Sequence, residues 1–223
     1  MNDVQETALP SEASEKHVLA LPNPRRCEGF SDAAFSIIIT LLVLEVHRPS
    51  FGPGELTHEL VAAWSSYLAY AVAFIYVGVI WLNHHYLFER LRRIDFALNA
   101  TILAIIGTSA LIPFPTGVLA DAFRSGNLAD QRAAVLLYAI VGILMSAAWI
   151  PAFHHLRRHP ELIKLHLPRT TFAHQVMRPF IGIPLYTVAA LVGWFYQPAL
   201  AATLFILVVG YYCWTSQGIR ARS

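Results

Sequence analysis

Three stretches of this chain, Leu60–Asn83, Phe96–Leu119 and Ala133–Phe153, each run for more than twenty residues without one Asp, Glu, Lys or Arg. A helix crosses a hydrocarbon core of about 30 Å with roughly 20 apolar residues. In lipid the backbone must satisfy its own hydrogen bonds, so such segments are helices. Three more segments suit the same role: Phe30–Val46, Pro179–Tyr196 and Pro198–Ser216. The last two are separated only by the turn at Gln197-Pro198 and form a tight hairpin. The sequence therefore predicts an all-α, polytopic membrane protein with six transmembrane helices. Pro113 and Pro115 should kink or end the third span, and Pro184 should bend the fifth. The 223 residues are 56% hydrophobic and 13% charged, against roughly 45–50% and about 25% in soluble domains.

The loops orient these spans. With the N-terminus inside, thirteen of the sixteen Lys and Arg residues fall on the cytoplasmic side, and only Arg48, Arg124 and Arg132 fall outside. The positive-inside rule then places both termini in the cytoplasm. An odd number of spans would leave one basic cluster outside, so the asymmetry also supports six. Residues 1–24 are polar, acidic and proline-containing, which fits a disordered cytoplasmic tail and not a secretory signal. Residues 25–219 form the transmembrane domain, and 220–223 a short cytoplasmic tail. The His154–Gln175 stretch reads as a basic surface linker or short interfacial helix near anionic headgroups. Cys27 and Cys213 make no disulfide framework. The basic residues lie against the membrane, so nucleic-acid binding is not expected. No HExxH, CxxC or other spaced ligand set occurs, and adjacent histidines (His84-His85, His154-His155) diverge by about 100° on a helix, so neither a metal site nor an enzyme is expected.

The first span carries the densest signal, RCEGFSDAAFSIIITLLVL from Arg26 to Leu44. Ile37, Thr40, Leu41 and Leu44 share one helical face. That face suits lipid contact or helix packing, or else the wall of a narrow, poorly wetted pore. Thr40 would put a hydroxyl into such a wall, or bond the carbonyl one turn back. Ser31 and Asp32 suit a helix cap, and an ionisable residue at a membrane helix end also suggests a specific partner. Arg26 is one candidate cation for Asp32. The second span returns inward and ends in Trp81-Leu82-Asn83-His84-His85, at the depth of Asp32. A network of Arg26, Asp32, Asn83 and one histidine is geometrically possible, and so is an ordinary interfacial belt. Glu45 could draw cations to a pore mouth, or pair with Arg48.

The Arg-x-x-x-Phe-Ser-Asp entry into an Ile/Thr/Leu run resembles the first helix of the transmembrane-protein-175 potassium channel family, bacterial branch. Trp81–Phe88 resembles the same family's Trp/Asn/His pattern. The resemblance implies a homotetramer whose first helices line a central four-fold pore. It assigns the hydrophobic constriction to Ile37, Leu41 and Leu44, and a threonine selectivity layer to Thr40. Arg26, Phe30, Ser31 and Asp32 become motif residues for folding and assembly, with Trp81, Asn83, His84 and His85 in the polar network. Cys27, Gly29, Ala33-Ala34 and Ser36 depart from many members without removing a pore-facing group. The expected function is a potassium-permeable cation channel of the bacterial plasma membrane, needing no cofactor beyond the permeant potassium ions and no partner beyond its own copies, lipids and monovalent cations. The alternative is a proton-coupled or proton-permeable transporter that relays protons through Asp32, His84 and His85.

The charge asymmetry makes a direct prediction. In sealed cells, an impermeant thiol reagent should label Pro53→Cys and Ser125→Cys but not Arg92→Cys or Lys164→Cys, and labelling of Lys164→Cys would invert the topology.

Overall fold

A computed structural model of the chain describes residues 21–164 and 170–216. Helix α1, Arg25–Leu41, tightens into a 3-10 turn over Leu42–Glu45. A short α2, Leu56–Ala62, leads into the long α3, Trp64–Arg90. Next come α4, Phe96–Ala110, α5, Pro113–Ser125, and α6, Leu128–Arg158. Helix α7, Thr170–Phe195, and α8, Pro198–Thr215, form the hairpin. Among the described residues the only β pairing is an isolated bridge between Leu91 and Ile163.

Five segments are long and apolar enough to cross a membrane: Arg25–Glu45, Trp64–Arg90, Phe96–Ser125, Leu128–Arg158 and Pro198–Thr215, with Phe180–Phe195 a shorter apolar helix. Several helices outrun their apolar cores. Helix α1 begins at Arg25 and not at Phe30, α3 continues past Asn83 to Arg90, and α6 continues past Phe153 to Arg158. Hydropathy marks where lipid ends, whereas the backbone ladder stops only where something interrupts it. Arg157 and Arg158 in the last turn of α6 also suit the negative end of the helix dipole.

Half of the expected basic linker over His154–Gln175 is thus taken up by the ends of α6 and α7. Its residues 165–169 lie outside the described residues, as do 1–20 of the predicted N-terminal tail, 217–219 at the end of the predicted transmembrane domain and the whole predicted 220–223 tail.

The prolines act according to position. The third span breaks between Ala110 and Pro113 as expected, and Pro113 opens α5 at a position where a missing N–H costs nothing. Pro151 lies within α6, and Pro184 within an α7 that remains one helix. At the far end of α5, Gly126 adopts φ 74°, ending that helix, and the Asn127 side chain accepts from the N–H groups of Ala129 and Asp130 to start α6. Gly and Asn supply this pair of caps for the usual reasons, freedom at positive φ and a short side-chain acceptor.

Helix α6 is the spine of the bundle, touching α4, α5, α7 and α8, while α3 bridges α1, α5 and α8. Small residues set the close approaches, as in membrane helix packing generally. The Tyr186 ring lies on Gly142, where an added Cβ would come within 2.6 Å of it. Gly193 is likewise covered by Val135 and Ala201.

At the Arg90 end, the loops form a collar. Arg92 N–H donates to Leu162 O at 2.7 Å, Lys164 N–H to Arg90 O at 3.0 Å, and Lys164 Nζ to Glu89 O at 2.6 Å. The segment before α1 is tied to the same collar: Ile94 N–H donates to Pro22 O at 3.3 Å and Arg93 Nη1 to Leu21 O at 3.2 Å. Asp95 closes it, accepting from Leu98 N–H at 2.8 Å and meeting His155 Nε2 at 2.7 Å. Burial disfavours the Asp95 charge, but the Leu98 N–H, His155 and the nearby His159 outweigh it and hold the carboxyl below its ordinary value.

A carboxyl lowered in the folded state stabilises the fold above its unfolded value, and that contribution is lost as pH falls through the lowered one. Asp95→Ala should therefore cost about 0.5–2 kcal/mol near neutral pH, the worth of an N-cap. The deficit should shrink as pH drops below the ordinary aspartate range, as read by melting of the purified protein against pH.

Candidate functional site

Helix α1 divides its two faces sharply. Ser31, Phe35, Ile38 and Leu42 are at most 2% exposed, whereas Phe30, Ile37, Leu41 and Leu44 are 56%, 60%, 41% and 74% exposed. The buried face packs on α3 and α4. The exposed one is the face predicted from spacing, and it continues through the 3-10 turn. In a 3-10 turn residues i and i+3 eclipse, so Leu44 stays in line with Leu41. Thr40 is exposed on this side, and its hydroxyl donates to Ile37 O at 2.8 Å. That bond uses the hydroxyl's proton and leaves its lone pairs free to accept.

Ser31 and Asp32 do not cap the helix, because α1 begins six residues before Ser31. Ser31 instead donates to Cys27 O at 2.8 Å, a buried hydroxyl satisfied by its own preceding turn. The carboxylate of Asp32 accepts a hydrogen bond from Trp81 Nε1 at 2.9 Å. Arg26 is exposed and forms no ion pair with Asp32 among the described residues.

The histidines part company. His84 is 1% exposed and wedged between Phe35, Phe88 and Trp149, with ring centroids 5.2, 4.8 and 6.5 Å away. His85 stacks on Trp81 at 5.8 Å and lies 3.6 Å from Glu28 and 3.7 Å from Glu89. No hydrogen bond joins Asp32 to either histidine among the described residues. Asn83 accepts from Ser216 Oγ at 3.4 Å, linking α3 to the end of α8. Phe30 is exposed at the foot of the Ile37–Leu44 face.

Two contacts lay beyond sequence reasoning. Cys27 Sγ meets Asn99 Oδ1 at 3.0 Å, joining α1 to α4. Asn99 lies one turn after Asp95, at the depth of the Phe-Ser-Asp entry, which was the available clue. At the other end the Glu45 carboxylate lies against Gly117, in space that any Cβ there would fill. Glu45 is thus seated on α5, and among the described residues it forms no ion pair with Arg48. No group of three or more His, Cys, Asp or Glu residues positioned for a metal ion occurs among the described residues.

These features define a multi-pass, all-α membrane protein whose first helix is clamped on one side and open on the other. The family model described as endosomal/lysosomal potassium channel TMEM175 matches residues 26–113. A potassium channel of Streptomyces collinus is 41% identical over 138 residues, 61% of this chain and 66% of that relative. A potassium channel of Chamaesiphon minutus is 34% identical over 157 residues, 68% of this chain and 72% of the relative. The crystal structure of a lysosomal potassium-selective channel TMEM175 homolog from Chamaesiphon minutus is similar with a TM-score of 0.72 and 28% identity, over 86% of this chain and 96% of that one. The chain belongs to the TMEM175 family, a family of ion channels and not of enzymes.

The Trp81–Asp32 bond generates a test. Trp81→Phe keeps an aromatic ring and deletes the donor, so it should destabilise the protein by about 1.5–3 kcal/mol, the worth of a hydrogen bond to a charged group. Asp32→Asn, which retains an acceptor oxygen, should cost less than Asp32→Ala. Equal thermal melting of wild type and Trp81→Phe in detergent would show that this bond does not hold α1.

Proposed function

We propose that the protein is a potassium channel that conducts passively through a pore formed by α1 from four identical subunits. The observation that carries this reading is the apolar face of α1, open within one chain while its opposite face is packed. An apolar stripe of that kind on a helix otherwise held by its own bundle suits packing around a symmetry axis. Four copies of Ile37, Leu41 and Leu44 would form an apolar constriction, which limits hydration and hence conduction. Thr40 would add a ring of hydroxyl oxygens, each with its proton already donated to Ile37 O and its lone pairs available to a dehydrated cation. The chain holds no carbonyl filter of the TVGYG type, so selectivity would rest on this side-chain ring.

Six spans, with α7 as the fifth, and both termini in the cytoplasm follow from the placement of basic residues; a bacterial plasma membrane fits the Streptomyces and Chamaesiphon relatives. The Trp81–Asp32 bond and the aromatic cage of His84 support an anchoring role for the Phe-Ser-Asp entry and the Trp81–His85 stretch. Arg26, exposed in one chain, is free to serve subunit assembly.

Reversal potentials under potassium/sodium bi-ionic conditions test the assignment. Leu41→Ala and Ile37→Asn should raise conductance and weaken discrimination against sodium, and Thr40→Ala should lower selectivity with less effect on leak. Ile38→Ala, on the packed face, should destabilise by about 2–5 kcal/mol and leave the reversal potential unchanged. A shift in Ile38→Ala with none in Ile37, Thr40 and Leu41 variants would overturn the pore face.

A further inference from the structure

A cavity of about 420 Å³ lies between α3, α5, α6 and α8, away from the open face of α1. Its size falls in the range of roughly 300–1,000 Å³ typical of small-molecule sites. Thr116 and Ala120 of α5, Tyr138 of α6 and Phe205 of α8 form a buried floor. The rim is exposed, with Trp64 and Leu68 on α3 facing Ile206 on α8. Alanines at 69, 120, 199 and 202 keep the space open. Close-packed interiors do not leave voids of this size unfilled without losing dispersion contacts. Water is a poor filler, because it needs several polar partners. The hydroxyl protons of Ser65, Thr116 and Thr203 are already donated to Ala120 O, Ile112 O and Ala199 O, so these three groups would offer a water only lone pairs.

We propose that this cavity binds one acyl chain of a phospholipid from the leaflet at the α3 N-terminal end, the outer leaflet in the proposed topology. Four features select that occupant. The mouth opens between exposed apolar faces of two membrane-spanning helices, where acyl chains are the surrounding solvent. The walls run from Ser65 to Val72 along α3, about 10 Å of helix rise, within the roughly 15 Å that one leaflet contributes to the hydrocarbon core. Trp64 stands at the shallow end, where indole suits the headgroup boundary. Among the described residues no charged side chain lines the cavity, so a free fatty acid carboxylate meets no cation there, whereas a phospholipid keeps its headgroup in the interface. The cavity lies between helices that include α3 and α5, which also touch the 3-10 end of α1.

The test uses the full chain in phosphatidylcholine vesicles containing a phosphatidylcholine with a mid-chain diazirine. After illumination, peptide mass spectrometry should find Val72 and Phe205 labelled several-fold more than Leu207, which is 62% exposed on the open face of α8. Ala202→Phe, which fills the cavity from α8, should remove that excess and leave Leu207 labelling unchanged. Ala69→Phe, from the opposite wall, should do the same and covers the case in which the first variant fails to fold. Labelling of Val72 and Phe205 no greater than Leu207, as when a second copy of the chain covers the mouth, would overturn the proposal. So would excess labelling that survives in the folded Phe variants, or pocket labelling by a diazirine fatty acid but not by the phospholipid.

Discussion

Asp32 sits at the foot of a membrane helix, where a bare carboxylate is expensive, and Trp81 Nε1 satisfies it at 2.9 Å. That one bond fixes how α1 is rotated against α3. Once Asp32 faces Trp81, the helical repeat carries Phe35, Ile38 and Leu42 into the bundle. The same repeat leaves Ile37, Leu41 and Leu44 outside it. Phe35 then meets the His84 ring one turn beyond Trp81, so polar and aromatic contacts on α3 hold the same rotation. The collar adds a second hold from below, through Pro22, Leu21 and the loop after α3.

Many of the hydroxyls within the helices follow a common economy. Ser36, Thr101, Thr108, Ser109, Thr116, Thr187, Thr203 and Thr215 each donate to a carbonyl three or four residues back. Such bonds remove the cost of a hydroxyl in an apolar setting without asking anything of a neighbouring helix. Thr40 obeys the same rule, and only its position on the open face separates it from the others. In the proposed tetramer, chemistry that is ordinary on a lipid-facing helix would become an oxygen ring around one axis, and such a pore would need no dedicated filter loop.

Much of this was legible in the chain, and particular residues show why. The open face was readable because Ile37, Thr40, Leu41 and Leu44 recur at the helical period, and a period survives whatever the helix packs against. The depth of Trp81 beside Asp32 was readable because antiparallel spans pair outgoing and returning ends. The donor was not readable: Arg26, Asn83, His84 and Trp81 all lay within reach, and charge alone favoured Arg26. Side-chain direction chose Trp81, since an indole N–H bonds a carboxylate without burying a second charge. The cap reading of Ser31 and Asp32 failed for a related reason, because the backbone helix runs below the apolar boundary to Arg25.

The sequence by itself determined that this is a helical membrane protein, through uncharged runs that leave the backbone no other way to satisfy its bonds in lipid. It also determined which residues share a face and, through its basic residues, an expected orientation, because these depend only on period and on local charge. Tertiary structure decided the contacts between segments distant in the chain: Cys27 with Asn99, Glu45 against Gly117, Tyr186 on Gly142, and the cavity floored by Tyr138 and Phe205. Those depend on where small residues let helices approach and where they leave space. Such distances are set by several helices at once and are written in no single segment.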